Sequence, residues 1–194
     1  MKINLILPTY ENEDLTLKCL KSIKKYLDKN YEPNIVHKKL AELESQGKML
    51  GIVTQNIDIL HEKAGSKKVF KIHGTIGENY CIKCHKTYDI DYIFDSKESI
   101  PRCECGRQNN FVRPNVTLYG ENLPKDAVNG AMEIIEQSDC LIVAGTSLQV
   151  EPAASMISYF QGEYMIILNR EPTKYDNYAD LVFREDMNEV FSNI

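Results

Sequence analysis

Apolar residues follow two patterns along this chain. Short apolar runs at Ile3–Leu7, Leu50–Thr54, Val69–Ile72, Asn115–Leu118, Cys140–Ala144, Met165–Leu168 and Ala179–Phe183 read as strands. Between them lie stretches with one apolar face at helical spacing. Over Asp14–Asp28, Leu17, Leu20, Ile23 and Leu27 share a face with Lys24, and lysines fill the rest. Over Ile35–Gln46, Val36, Leu40 and Leu43 share a side, and Gly47 supplies a stop. Ala127–Glu136 is helical, Pro152 is a good first-turn residue for a helix to Phe160, and Met187–Phe191 is a last short helix. Apolar strands alternating with helices predict an α/β fold, with a parallel sheet covered by helices on both faces.

The pattern fails between residues 77 and 113. Cys81, Cys84, Cys103 and Cys105 lie there, spaced C-x2-C and then C-x-C. Soft thiolates at that spacing can close a tetrahedron around zinc, and four protein ligands leave no open position, so this metal is expected to be structural. The stretch has little core of its own, and its fold is expected to depend on the metal. Any chemistry must sit elsewhere.

Composition narrows the classes further. The chain has 194 residues, 43% hydrophobic and 26% charged, with formal net charge -5. There is no basic excess to suit a nucleic-acid partner. No apolar run approaches the roughly 20 residues that span a bilayer, so no membrane is expected. Ile3–Leu7 is too short for a signal-peptide core, and a cytoplasmic location is expected. Paired cysteines there read as metal ligands rather than disulfides. Cys19 and Cys140 fall within apolar patterns and read as core thiols.

In a parallel α/β sheet, ligands bind beyond the carboxyl ends of strands. Thr54-Gln55-Asn56-Ile57-Asp58 follows one such strand; it reads equally as a recognition loop for a carboxamide or ribose and as a self-satisfying Asn/Asp turn. Gly145-Thr146-Ser147 follows another and suits an anion or a ribose, as many α/β loops do. Asn169 follows Leu168 and either binds a ribose hydroxyl or caps a turn. His73 follows the strand ending at Ile72, with Gly74 beside it to admit a ligand closely. A histidine can move a proton near neutral pH, although a lone one is more often structural. His37, His61 and His85 read as structural.

Together these pieces resemble the sirtuin family of NAD-dependent protein deacylases, from about Pro33 to near the C-terminus. The segments that carry the resemblance are Thr54–His61, Ala64-Gly65-Ser66, His73-Gly74-Thr75, the cysteine quartet, Arg113–Glu121, Gly145–Ala153 and Ile167–Arg170. The resemblance implies a Rossmann-like NAD-binding domain of residues 32–76 and 114–194, a zinc-binding module of 77–113, and a non-matching βα unit of 1–31. It implies that His73 is the general base toward a ribose hydroxyl of NAD. Gln55, Asn56, Ile57 and Asp58 are implied on the nicotinamide side, and Gly145, Thr146, Ser147, Asn169, Arg170 and Glu171 on the adenosine side. Val116, Leu118, Gly120 and Glu121 are implied to hold an acyl-lysine peptide by backbone pairing. The implied reaction passes the acyl group to ADP-ribose and releases nicotinamide and lysine.

The start of the chain departs from that pattern. The family opens on a strand and a glycine-rich loop that holds the NAD phosphates; here Gly47 is the first glycine. Ile3–Asn12, with Leu17–Ser22, is similar instead to the start of nucleotide-sugar glycosyltransferases. Ile3–Leu7 is expected to take the central place in the sheet, with Pro8-Thr9-Tyr10 where glycines would cradle phosphate. Proline has no amide to donate, so weak NAD binding is expected. The alternative reading is a catalytically inactive, zinc-stabilised remnant that binds peptide or ADP-ribose.

Overall fold

The computed structural model describes residues 13–27, 30–118 and 120–194. The expected strand Ile3–Leu7 and the turn Pro8–Tyr10 lie outside the described residues. In chain order the elements are α1 (Glu13–Tyr26), α2 (Ile35–Ser45), β1 (Ile52–Thr54), α3 (Leu60–Ala64), β2 (Val69–Lys71), β3 (Gly74–Cys81), β4 (Thr87–Tyr88), α4 (Ile90–Phe94), β5 (Val112–Val116), α5 (Lys125–Gln137), β6 (Cys140–Ala144), a 3-10 helix (Ala153–Tyr159), β7 (Tyr164–Leu168), a 3-10 turn (Asp176–Tyr178), β8 (Leu181–Phe183) and α6 (Met187–Ser192). They divide into two compact units. One holds the described part of residues 1–31 with Asn56–Ile59 and His73–Lys125; the other holds Glu32–Gln55, Leu60–Ile72 and Asp126–Ile194.

The first unit is built on an antiparallel sheet in the order β4-β3-β5. Its ladder runs from Gly74↔Val116 to Cys81↔Val112, with a register shift between Thr75 and Asn79. A bulge frees backbone groups that need partners. The buried Asn79 amide fills that role, donating to the carbonyls of Ile76, Tyr88 and Asp89 at 3.1, 3.4 and 3.0 Å. Helix α1 supplies two cores with one face: Cys19 and Ile23 pack with Ile76, Val116 and Leu118, while Leu20 packs with Cys81, Ile93, Phe111 and Val112. The expected apolar face of this helix is real, and Lys24 leaves it to donate to the Ser96 carbonyl at 3.0 Å. Burial pushes the Cys19 thiol up to about 11, so it is a core thiol as expected.

The second unit is the Rossmann-like part, with two parallel pieces ordered β1-β2 and β6-β7-β8. Helix α5 reaches β2 through Gly130, where a Cβ would lie 2.1 Å from Phe70 Cε1. Helices α2 and α6 share the cluster Val36, Leu168 and Phe191. The 3-10 helix covers the other strands with Ala154 and Ile157 against Val143 and Ile167.

Four expectations change. Cys140 is exposed: on the side of β6 away from β7 no strand is paired among the described residues, and Ile142 is exposed as well. The run Asn115–Leu118 covers only the end of β5, and its pairing is antiparallel. Pro152–Phe160 forms a 3-10 rather than an α-helix. The segment 77–113 contains strand and helix structure, and α3 is a helix with no counterpart in the apolar pattern.

Candidate active site and metal centre

The four cysteine sulfurs of the first unit all lie within 4.8 Å of one another. Cys84 and Cys103 are 3.5 Å apart, and Cys81 and Cys105 4.0 Å apart. A zinc ion bound tetrahedrally at about 2.3 Å from each sulfur would separate them by roughly 3.8 Å, so the donor set and its spacing fit zinc. Two short turns make the site. His85 N–H donates to Cys81 O at 2.9 Å and His85 takes φ 60, which closes the first knuckle. Cys103 N–H donates to Asn110 O at 2.8 Å, which closes the second. Lys83 N–H points at Cys81 Sγ at 3.4 Å, a donor suited to a thiolate. His85 is not among the four metal-binding residues.

At the other end of the same sheet, His73 is tied to the segment after β5. Its carbonyl accepts from Thr117 N–H at 2.9 Å. Gly74 then opens β3 with φ +76, and a Cβ there would meet Asn115 O at 2.0 Å. Both the left-handed backbone and the close approach require glycine. Ile57 O accepts from Ile76 N–H at 2.8 Å, and Ile57 packs against the cluster of Ile76, Val116 and Leu118. The loop of Asn56, Ile57 and Asp58, the His73 backbone, and Val116 to Leu118 are therefore gathered at one end of the β3–β5 ladder. His73 is half-buried and Asn56 exposed.

Gly120 and Glu121 also belong to the first unit, and the other expected residues to the second. Gly145–Ser147 and Asn169–Glu171 follow the adjacent parallel strands β6 and β7, whose last paired residues are Ala144 and Leu168. Gly145 N–H donates to Leu168 O at 2.9 Å with φ +65, which turns the chain at the strand end. Thr146 Oγ1 accepts from Leu148 N–H at 3.2 Å, and Ser147 is exposed. Asn169 does what a turn cap does: its Nδ2 donates to Glu171 O at 2.7 Å. Arg170 pairs with Asp186. Gln55 directly follows β1.

Sequence reading passed over one residue of the first unit. Arg113 forms a bidentate pair with Glu121, at 2.7 and 3.1 Å, and the pair is largely buried. The signal was present, since a charged residue opening an apolar strand needs a partner nearby.

The sequence pattern of the Sir2 family matches residues 11–152. That span begins earlier than the motifs did and takes in α1. The chain is 44% identical over 171 residues to an NAD-dependent protein deacetylase of Clostridium acetobutylicum, covering 88% of this chain and 69% of that protein. It is 45% identical over 164 residues to an NAD-dependent protein deacetylase of Staphylococcus epidermidis, covering 84% of this chain and 65% of that one. The chain thus spans about two thirds of the length of these relatives. Among solved structures, Sir2 bound to acetylated peptide matches with TM-score 0.83 and 35% identity over 91% of this chain and 76% of that one. The complex of Sir2, p53 peptide and NAD+ matches with TM-score 0.84 and 33% identity over 97% of this chain and 83% of that one.

Proposed function

This chain belongs to the Sir2 family, and from that premise we propose that it is an NAD-dependent protein lysine deacetylase or deacylase with a structural zinc. The observation that carries the reading is the gathering of His73, the Asn56–Asp58 loop and Val116–Leu118 at one ladder end, held by the Thr117–His73 and Ile76–Ile57 hydrogen bonds. NAD supplies the ribose carbon that the acyl oxygen attacks and the ADP-ribose that carries the acyl group away. His73 takes the proton of a ribose hydroxyl, a task matched to imidazole. Asn56, Ile57 and Asp58, with Gln55, orient the nicotinamide side; amides and a carboxylate offer both donors and acceptors for it. Gly145, Thr146, Ser147, Asn169, Arg170 and Glu171 hold the adenosine side at the carboxyl ends of parallel strands, the usual ligand position in such sheets. Residues 116–121 take the acyl-lysine peptide by backbone pairing. Cys81, Cys84, Cys103 and Cys105 hold zinc away from the chemistry, because four thiolates leave it no open position. The same reading keeps the NAD-binding domain at residues 32–76 and 114–194 and the zinc module at 77–113.

A cytoplasmic location belongs to the same proposal. It is supported by cysteines suited to zinc rather than disulfides. Among the described residues no helix is long and apolar enough to cross a membrane.

The deciding experiment is release of nicotinamide from NAD by the zinc-loaded protein in the presence of an acetylated peptide. Turnover that disappears in His73→Ala supports the reading, and no turnover with zinc bound counts against it. A second reading is an inactive binder of peptide or ADP-ribose. It predicts peptide or ADP-ribose binding by calorimetry without nicotinamide release.

A further inference from the structure

We propose that Arg113 and Glu121 are positioning residues for the acyl-lysine peptide: their ion pair fixes the backbone at Val116, Leu118 and Glu121 before the peptide arrives. The proposal rests on the reading of that segment as the docking strand. Past Val116 the chain leaves the ladder with β3, so its backbone groups need new partners. One guanidinium and one carboxylate supply several of them. Arg113 Nη2 donates to Val116 O at 2.9 Å, and Arg113 Nε to Pro114 O at 3.3 Å. Glu121 Oε2 accepts from Leu118 N–H at 2.9 Å, while Glu121 N–H donates to Leu118 O at 3.0 Å. Gly120, with φ 89, lets the chain reverse between them. The two side chains close the loop on themselves through the bidentate contact at 2.7 and 3.1 Å.

The two side chains are only 15% and 19% exposed. Charges withdrawn from water to that degree add little net stability over an apolar pair of the same shape. What this pair adds is geometry: a planar fork with fixed donor directions sets the positions of residues 114, 116, 118 and 121 at once. A peptide that pairs by backbone hydrogen bonds gains when the receiving strand is already ordered, because the ordering entropy does not then come out of its affinity. The same segment carries the Thr117–His73 hydrogen bond. Glu121 acts in this account through its carboxylate on the protein's own backbone, not by touching the peptide.

The test uses the full zinc-loaded chain as wild type, Glu121→Gln and Arg113→Lys. Glu121→Gln replaces one acceptor oxygen with a donor facing the guanidinium; Arg113→Lys keeps the charge and loses the fork. Amide exchange at Leu118 in the free protein, and the acetylated-peptide dissociation constant, are measured for all three. In Glu121→Gln the exchange is expected to quicken and peptide affinity to fall about tenfold, the change that corresponds to about 1.4 kcal/mol. In Arg113→Lys, KM for NAD and kcat at saturating peptide are expected to stay within about twofold, because the interaction is made in ground and transition state alike. Arg113→Lys is expected to show a smaller loss of the same kind, and it serves if Glu121→Gln loses zinc or fails to fold. Unchanged exchange at Leu118, or faster exchange with unchanged peptide affinity, would overturn the proposal. Wild-type protein that binds no acetylated peptide would overturn the docking reading instead. The exchange measurement separates the two failures, since it reads the ion pair without any ligand.

Discussion

The two compact units are held together by different means. The unit with the antiparallel sheet is pinned at both ends of one strand: β3 begins at Gly74, wedged against Asn115, and ends at Cys81, one of the four clustered sulfurs. Between them a bulge is stitched by the Asn79 amide, and the strand beyond is tied by Arg113 and Glu121. The unit with the parallel strands has glycine wedges of its own, Gly130 against Phe70 and Gly162 against the Ser138 carbonyl, but no clustered sulfurs among the described residues. It relies on helix and 3-10 faces laid over apolar strands, in the clusters around Val143 and Ile167 and around Leu168 and Phe191. A ligand set, an amide stitch and a buried ion pair thus hold the part proposed to meet the peptide, whereas the part proposed to meet the adenosine leans more on distributed apolar packing. Packing tolerates substitution by adjustment, whereas a wedge or a ligand set does not.

The sharpest way to break that contrast is to remove the metal. Structural zinc sites contribute on the order of 10 kcal/mol of folding free energy. Cys81→Ser, or a strong chelator, is therefore expected to unfold residues of about 77–113 while the parallel strands persist. Limited proteolysis with mass mapping checks it: early cuts should fall between residues 77 and 113. Unchanged protease resistance there would show that apolar packing suffices in both units.

Next in size is the chemistry. Loss of a positioned proton acceptor costs typically 10²–10⁴-fold in rate. His73→Ala should lower nicotinamide release by at least about a hundredfold and leave zinc content unchanged, since imidazole and thiolates lie at opposite ends of β3. A variant that keeps more than about a tenth of the wild-type rate would remove His73 from the base role.

Gly74→Ala is the third test. The added Cβ would sit 2.0 Å from a backbone oxygen that is itself in the ladder, at φ +76. Strain at such a position is of order 1–3 kcal/mol from the backbone alone, and the overlap adds to it. Gly47→Ala is the control, with φ +71 but nothing within 4 Å. A larger loss of melting temperature at residue 74 than at residue 47 isolates the wedge from the conformational strain; equal losses would show that the close approach relaxes freely.

Much of this was legible in the chain, and the exceptions have physical reasons. The cysteine quartet, the turn-forming glycines and the apolar runs each carry their own signal: sulfur has few other uses at paired spacing, and Gly74 sits where a Cβ does not fit. Exposure was less legible. Cys140–Ala144 is as apolar as a buried strand, yet Cys140 and Ile142 are exposed. Burial belongs to the neighbour a strand finds rather than to its own residues. Helix α3 has only five residues, too few for a helical period to show. The Arg113–Glu121 pair spans eight positions on a turning chain, where no helical or strand periodicity brings two side chains together.

The smallest expected effect is a pH dependence that the buried pair gives to the first unit. Burial alone would raise the Glu121 carboxyl, but hydrogen bonds from Arg113 and from Leu118 N–H outweigh it and hold it below the usual carboxylate range. A carboxyl depressed in the folded state gives stability that is fully present above its unfolded value, near 4.3, and that is lost as pH falls through the folded value. The stability difference between wild type and Glu121→Gln should therefore be constant near neutrality, begin to shrink below about pH 4 as the unfolded chain's carboxyl takes up its proton, and finish shrinking once the folded carboxyl is protonated too. Zinc release complicates a direct acid titration, because thiolates take up protons as metal leaves. Comparing the two proteins at each pH cancels that term, since both carry the same four cysteines. A difference that stays flat down to pH 3 would mean that the carboxylate charge does not hold the loop and that the shape of the pair alone does.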